Sequence, residues 1–206
     1  MIIAYTNLKG GCGKSTLAAH SYGYLKREGV SRWLVDSDPQ ASSSDWLVGN
    51  DPDADCYHLT DPKDASAASQ ERNKDHDVVI VDGAGQLNDI SKAVMMIADV
   101  VMIPCRPSRM DYKATIEVLK LANQVNSIRK KAFTVMVVPM MVRSGESMTY
   151  QLLDEVNDLD VPVAPPIYQR SAYAKAASDE NFVWDQGDSS ATAEIEMLME
   201  HIRNHA

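Results

Sequence analysis

The run Lys9-Gly10-Gly11-Cys12-Gly13-Lys14-Ser15-Thr16 carries the strongest chemical statement in the chain. Its glycines let backbone N–H groups turn inward and approach phosphate oxygens with no Cβ in the way. Lys14 is placed to reach the β- and γ-phosphates of a nucleotide, the Ser15 hydroxyl to ligate Mg²⁺, and Thr16 to hydrogen-bond an α-phosphate oxygen. Such a loop works only between a strand and a helix, where the helix N-terminus adds its positive dipole end. Ile2 to Thr6 reads as a buried strand, and Lys14 to Glu28 as a helix stopped by Gly29.

Two further sets of acids stand where a metal–phosphate site needs them. Trp33 to Val35 reads as a short strand running into Asp36-Ser37-Asp38-Pro39-Gln40. Carboxylates two residues apart at a strand end are expected to point the same way. Both cannot ligate one Mg²⁺ without crowding the phosphates, so a division of labour is expected. Asp36 is assigned to the Mg²⁺ water shell and Asp38 to the attacking water. Asp77 to Val81 reads as a third strand that ends in Asp82 and turns at Gly83-Ala84-Gly85. Asp82 is expected to hold Mg²⁺ through water, and the turn to sense the γ-phosphate.

The loop departs from the usual G-x-x-x-x-G-K pattern, because Leu8 stands at the first glycine position and a second lysine, Lys9, leads the loop. This K-G-G-x-G-K-S form resembles the deviant Walker A box of the ParA/MinD family of ATPases. The D-x-D-P-Q run at 36–40 looks like that family's second motif, and D-G-A-G at 82–85 resembles the ParF-like branch of short ParA partition proteins. Pro104 to Asp111 looks like the family's P-x-x-P-S-x-x-D segment, and Ile167 to Lys175 like the segment near the nucleotide base. The resemblance runs over nearly the whole chain and implies an ATP and Mg²⁺ site made by residues 9–16, with Ser15, Asp36 and Asp82 at the metal. It implies that Lys9 reaches across an ATP-sandwich homodimer to its partner's phosphates and, with Lys14 and Asp38, serves hydrolysis. It further implies nonspecific DNA binding, stimulation by a ParB-like or other cargo adaptor, and a cytoplasmic protein that is nucleoid-associated in the ATP state. Plasmid DNA, carboxysomes and chemoreceptor arrays are all cargoes of this kind of engine.

The elements that must position these residues alternate. Asp99 to Ile103 and Phe133 to Val138 read as strands; Asn88 to Ile97, Met110 to Ser127, Ser147 to Leu159 and Thr192 to Asn204 read as helices; Val161 to Val163 reads as a short last strand. Near-continuous apolar strands imply a sheet covered on both faces, and the interleaved helices imply parallel crossovers. The expected fold is α/β: a P-loop NTPase-like, mostly parallel twisted sheet with helices on both faces. Ligands then sit beyond the carboxyl ends of the strands, where the glycines and aspartates fall. Residues 41–76 are poor in large apolar side chains and read as one helix plus loops.

Composition bounds the rest. A chain of 206 residues suggests one ATPase domain over 1–206, with no separate DNA-reading module. Twenty Lys and Arg against 29 Asp and Glu give a net charge of −9, which argues against a surface that coats nucleic acid or an anionic membrane. A local basic patch remains compatible, and Arg129, Lys130, Lys131, Lys175 and Arg203 are its candidate DNA contacts. Cys12, Cys56 and Cys105 are unclustered and fit a reducing cytosol. No secretory signal or membrane-spanning run is read. A MinD-like membrane ATPase would need a basic amphipathic tail, whereas this tail carries Glu194, Glu196 and Glu200 against Arg203. An iron-protein-like reductase lacks the cysteines it needs. A small-molecule biosynthetic P-loop enzyme is the alternative from a different class.

Overall fold

A computed structural model of the chain describes residues 1–85 and 89–206, apart from the side chain of Ile90. The apolar runs become strands β1 (Ile2–Tyr5), β2 (Arg32–Asp36), β3 (Cys56–His58), β4 (Val78–Asp82), β5 (Val100–Cys105), β6 (Thr134–Val142) and β7 (Ile167–Tyr168). The helices among the described residues are α1 (Lys14–Arg27), α2 (Ser42–Asn50), α3 (Pro62–Arg72), α4 (Asp89–Ile97), α5 (Arg109–Ile128), α6 (Ser147–Asn157), α7 (Ser171–Ser178) and α8 (Ser189–His205). All strand pairings are parallel, and the order β3-β2-β4-β1-β5-β6-β7 puts β1 in the middle.

Both sheet faces are covered, as near-continuous apolar strands require. On one face Ile3, Tyr5, Leu34 and Ile80 pack with Leu17 of α1, Leu47 of α2, Ala176 of α7 and Leu198 of α8. On the other, Val79, Val81, Val101 and Ile103 pack with Ala65 of α3, Met95 of α4, Val118 of α5 and Leu152 of α6. Alternation along each strand sends residues 34 and 36, and 80 and 82, toward the α1 face. It therefore fixes where the strand-terminal aspartates point.

Two expectations are corrected. Residues 41–76 hold two helices and an edge strand, not one helix and loops. The Asp61-Pro62 pair starts a helix: Asp61 Oδ1 accepts from Lys63 N (2.8 Å) and Asp64 N (3.1 Å), with Pro62 in the first turn, where its missing N–H costs nothing. Val161 to Val163 makes only a single bridge, Val163 to Val137, because Pro162 has no N–H to donate, and the last strand lies at Ile167–Tyr168. Asn88, where the sequence reading began a helix, lies outside the described residues. Gly29, with φ +70°, ends α1 as expected.

Candidate functional site

β1 ends at Tyr5, and the chain loops over the end of the sheet before α1 begins at Lys14. Gly11 and Gly13 take φ of +69° and +102°, the left-handed values that keep backbone N–H groups facing inward. A Cβ on Gly13 would also sit 2.5 Å from Met140 Cε. Lys14 is 5% exposed and lays Nζ 3.3 Å from the carbonyl oxygen of Lys9. The buried Cys12 thiol donates to the same oxygen, so it pins the loop, and burial raises its pKa and keeps it unreactive. Lys9 is half-buried, and its ammonium makes no ion pair among the described residues. Asn7 ties the loop to the neighbouring strand: Nδ2 donates to Pro104 O at 2.6 Å, and Oδ1 accepts from Lys9 N at 3.3 Å.

Asp36 and Asp82 end adjacent strands in register and are both fully buried. Asp36 Oδ2 accepts from Ser43 N (2.9 Å), Ser43 Oγ (3.0 Å), Ser44 N (3.0 Å) and Ser44 Oγ (3.3 Å), which secures the start of α2. Its Oδ1 accepts from Asp38 N at 3.0 Å. Among the described residues neither oxygen of Asp82 closes a hydrogen bond of good geometry, although the Ser15 and Ser43 hydroxyls lie close enough to favour its charged form. Burial, then the charge of Asp36, raises the Asp82 pKa to about 7. A fully buried carboxylate with the Ser15 hydroxyl beside it is a hard oxygen donor set, and these residues fit a divalent ion such as Mg²⁺.

Asp38 does lie beside Asp36, but through a turn rather than strand alternation. β2 stops at Asp36, Asp38 N caps the Asp36 carboxylate, and Asp38 Oδ1 accepts from Gln40 N at 3.0 Å. Asp38 lines a cavity of about 610 Å³ with Gly10, Gly11, Gly13, Lys14 and Ser15. The turn after β4 closes the back. A Cβ on Gly83 would meet Tyr5 O at 2.7 Å, and one on Gly85 would lie 3.6 Å from Lys14 Nζ. The segment 104–111 is held by Ser108, which accepts from Asp111 N to cap α5, and by Asp111, which pairs with Arg106 Nε at 2.9 Å.

Several lining residues went unread in the sequence. The cavity continues past the phosphate loop to Asp45, Trp46 and Glu180. A second, mostly apolar recess of about 240 Å³ opens beside it, walled by Met140, Ile167, Tyr168, Arg170 and Tyr173. The two share Thr16, Met141 and Ala177. Met141 has φ +54° at a register shift in the β6–β7 pairing. The recess lies within and beside the 167–175 segment.

The candidate DNA contacts divide between the two ends of the sheet. Arg129 is committed to the fold: its guanidinium donates to Met95 O (2.7 Å) and Ala98 O (2.6 Å) at the end of α4 and lies over Phe133. Lys130 is exposed, and Lys131 reaches Asp99 at 3.4 Å. Arg203, paired with Glu200, lies at the same end of the sheet, beside Met1 and Val78. Lys175 lies on α7, beyond the strands' opposite ends. The tail does not offer an apolar face to a membrane, since Ile195, Leu198, Met199 and Ile202 of α8 are buried in the core. No helix among the described residues is long and apolar enough to cross a membrane.

A parallel sheet with a glycine loop between β1 and α1 and a buried aspartate at the end of β4 defines a P-loop nucleotide-binding protein. Residues 3–183 match the family model described as the CobQ/CobB/MinD/ParA nucleotide binding domain, and the chain belongs to that family. It is 30% identical over 214 residues to the maintenance of carboxysome distribution protein A of Halothiobacillus neapolitanus, covering 97% of this chain and 95% of that one. It is 28% identical over 179 residues to protein ParA of Rhizobium radiobacter, covering 84% of this chain and 80% of that one. A variant of McdA from Cyanothece in complex with ATP shares the fold, with a TM-score of 0.83 at 15% identity over 98% of this chain and 95% of that one.

Proposed function

We propose that residues 1–206 form one ParA-type ATPase domain that binds Mg²⁺ and ATP, pairs with a second copy across the nucleotide, and positions a cargo on nonspecific DNA. The observation that carries this reading is Lys9. Lys14 already serves the loop from within, and a second ammonium, half-buried and free of any ion pair among the described residues, stands at the loop's mouth. In the family that the loop resembles, the lysine at this position reaches the partner's phosphates, and Lys9 would do the same. There it would offset charge that develops as the γ-phosphate passes to water, as an arginine finger does. Loss of the γ-phosphate then removes the contact and loosens the dimer.

Within each copy the loop N–H groups and Lys14 hold the phosphates, and Asp38 orients the attacking water from the cavity wall. Mg²⁺ would be held by Ser15 Oγ and, through water, by Asp82; when bound it neutralises phosphate charge. Asp36 contributes chiefly by fixing α2 and the Asp38 turn, because its Oδ2 is already saturated. The apolar recess receives the base. A net charge of −9 suits a protein that holds DNA weakly through a small patch around Lys130 and only as a dimer. Such a chain works in the cytoplasm, on the nucleoid in its ATP state, and is switched by an adaptor protein. The relatives' carboxysome-distribution and ParA names support a positioning role.

The test is phosphate release and DNA retardation in Mg²⁺ with ATP or ADP. Slow release, ATP-dependent retardation and loss of release in Asp38→Ala with ATP binding intact are expected. Retardation that ignores the nucleotide, or normal release from Asp38→Ala, would reject the account. One observation favours a second reading, a small-molecule ligase of the same family: the cavity extends past the phosphate loop to Asp45, Trp46 and Glu180. Fast turnover on a small-molecule acceptor without a protein activator would select it.

A further inference from the structure

We propose that Glu194 is the positioning residue of the base-side wall: from α8 its carboxylate sets Tyr168, Arg170 and Tyr173 in the arrangement that receives the purine. The proposal rests on the nucleotide reading above and concerns how one wall of that site is built.

Glu194 stands on the buried face of α8 beside Ala191, Ile195 and Leu198, and is itself 7% exposed. A carboxylate in such a place is costly unless its oxygens are fully engaged. Here they are. Oε1 accepts from Arg170 Nε at 2.7 Å, and Oε2 accepts from Tyr168 N at 3.2 Å and Tyr173 Oη at 3.0 Å. All three donors belong to residues that line the apolar recess. One carboxylate thus fixes the end of β7, the entry to α7 and the charge between them. The Arg170 guanidinium is held 5.6 Å from the centroid of the Tyr168 ring, so the wall is a stacked cation and ring of the kind a purine packs against.

Glutamine in place of Glu194 keeps the shape but not the pattern. Its single oxygen can face either Arg170 or the Tyr168 and Tyr173 pair, and its NH₂ then opposes an N–H on the other side. The base wall should loosen while the phosphate loop stays intact.

The experiment is calorimetric binding of ATP and of inorganic tripolyphosphate to the full chain, as wild type, Glu194→Gln and Tyr173→Phe, with thermal melting alongside. Glu194→Gln is expected to bind ATP about tenfold more weakly and tripolyphosphate within about twofold of wild type, as the loss of a charged hydrogen bond on one wall implies. Tyr173→Phe should show a smaller loss with the same split. ATP binding equal to wild type, or an equal loss for both ligands, overturns the proposal. If Glu194→Gln does not fold, the split in Tyr173→Phe decides on the same terms. A wild-type chain that binds tripolyphosphate as well as ATP overturns the proposal and leaves the phosphate site standing. A wild-type chain that binds neither overturns the nucleotide reading and the proposal with it.

Discussion

Asp36 and Asp82 stand side by side in register at the ends of β2 and β4, and their carboxylates live in opposite conditions. Asp36 Oδ2 accepts from two backbone N–H groups and two hydroxyls, while neither oxygen of Asp82 closes a hydrogen bond of good geometry among the described residues. One acid holds the scaffold, and its neighbour keeps a buried charge that a bound cation would offset. Removing the charge of Asp82 should therefore relieve the ligand-free protein. Asp82→Asn is expected to melt at a higher temperature than wild type in the absence of Mg²⁺ and ATP, and to lose the further rise that Mg²⁺ with ATP gives wild type. Differential scanning fluorimetry with and without both ligands reads this directly. Asp36→Asn should melt lower in either condition, because it uncaps α2.

The glycines separate folding from binding. Gly83 faces backbone: an added Cβ would meet Tyr5 O at 2.7 Å, so Gly83→Ala should cost roughly 2 kcal/mol or more in urea unfolding. A Cβ on Gly10 would meet none of the described residues within 4 Å, so Gly10→Ala should leave stability nearly unchanged and still weaken ATP binding, since Gly10 lines the phosphate cavity. Titration of both variants with ATP beside their unfolding curves distinguishes the two effects.

His20 predicts an acid limb of stability. It is fully buried; Nδ1 lies 2.8 Å from Thr16 O, and Nε2 accepts from Val183 N at 3.3 Å, which fixes the neutral Nδ1–H tautomer. Trp46, Tyr173, Phe182 and Trp184 surround the ring edge to face. Burial lowers its pKa to about 4, below the ordinary 6.5. The unfolded chain then binds a proton that the folded chain refuses, so stability falls as pH drops from 6.5 toward 4 and is unaffected above 6.5. Between pH 7.5 and pH 5 this group alone should remove about 2 kcal/mol. The difference in that loss between wild type and His20→Phe measures it.

Arg129 and Lys130 adjoin in sequence and should behave unlike one another. Arg129 caps the end of α4 through two carbonyls, so Arg129→Ala should lower stability by roughly 1–2 kcal/mol. Lys130→Ala should leave stability alone and reduce the salt slope of ATP-dependent retardation by about two, one for each copy in the dimer.

What could be read from the sequence follows from how each element is specified. β1, β4 and β5 are buried on both faces, so their apolar runs announce them, and the glycine loop and strand-terminal aspartates then fall where a parallel sheet puts ligands. β3 was missed because Cys56–His58 is a three-residue edge strand with Tyr57 and His58 exposed. α2 was obscure because Ser42, Ser43 and Ser44 are poor helix formers, and its cap comes from Asp36, outside the helix. Asp61-Pro62 does carry a helix-start signal, an acid at the cap followed by proline in the first turn. Glu194 was counted among the acids of a charged tail. Its position three residues from Ala191 and four from Leu198, on the apolar face, was the sign that it is buried.

The central claim is that Lys9 acts across a dimer interface. Sedimentation velocity of wild type and Lys9→Ala, each with Mg²⁺ and either ADP or a non-hydrolysable ATP analogue, tests it most directly. Wild type should sediment as a monomer with ADP and a dimer with the analogue, and Lys9→Ala as a monomer in both while still binding nucleotide. A Lys9→Ala chain that dimerises with the analogue as wild type does would contradict the account.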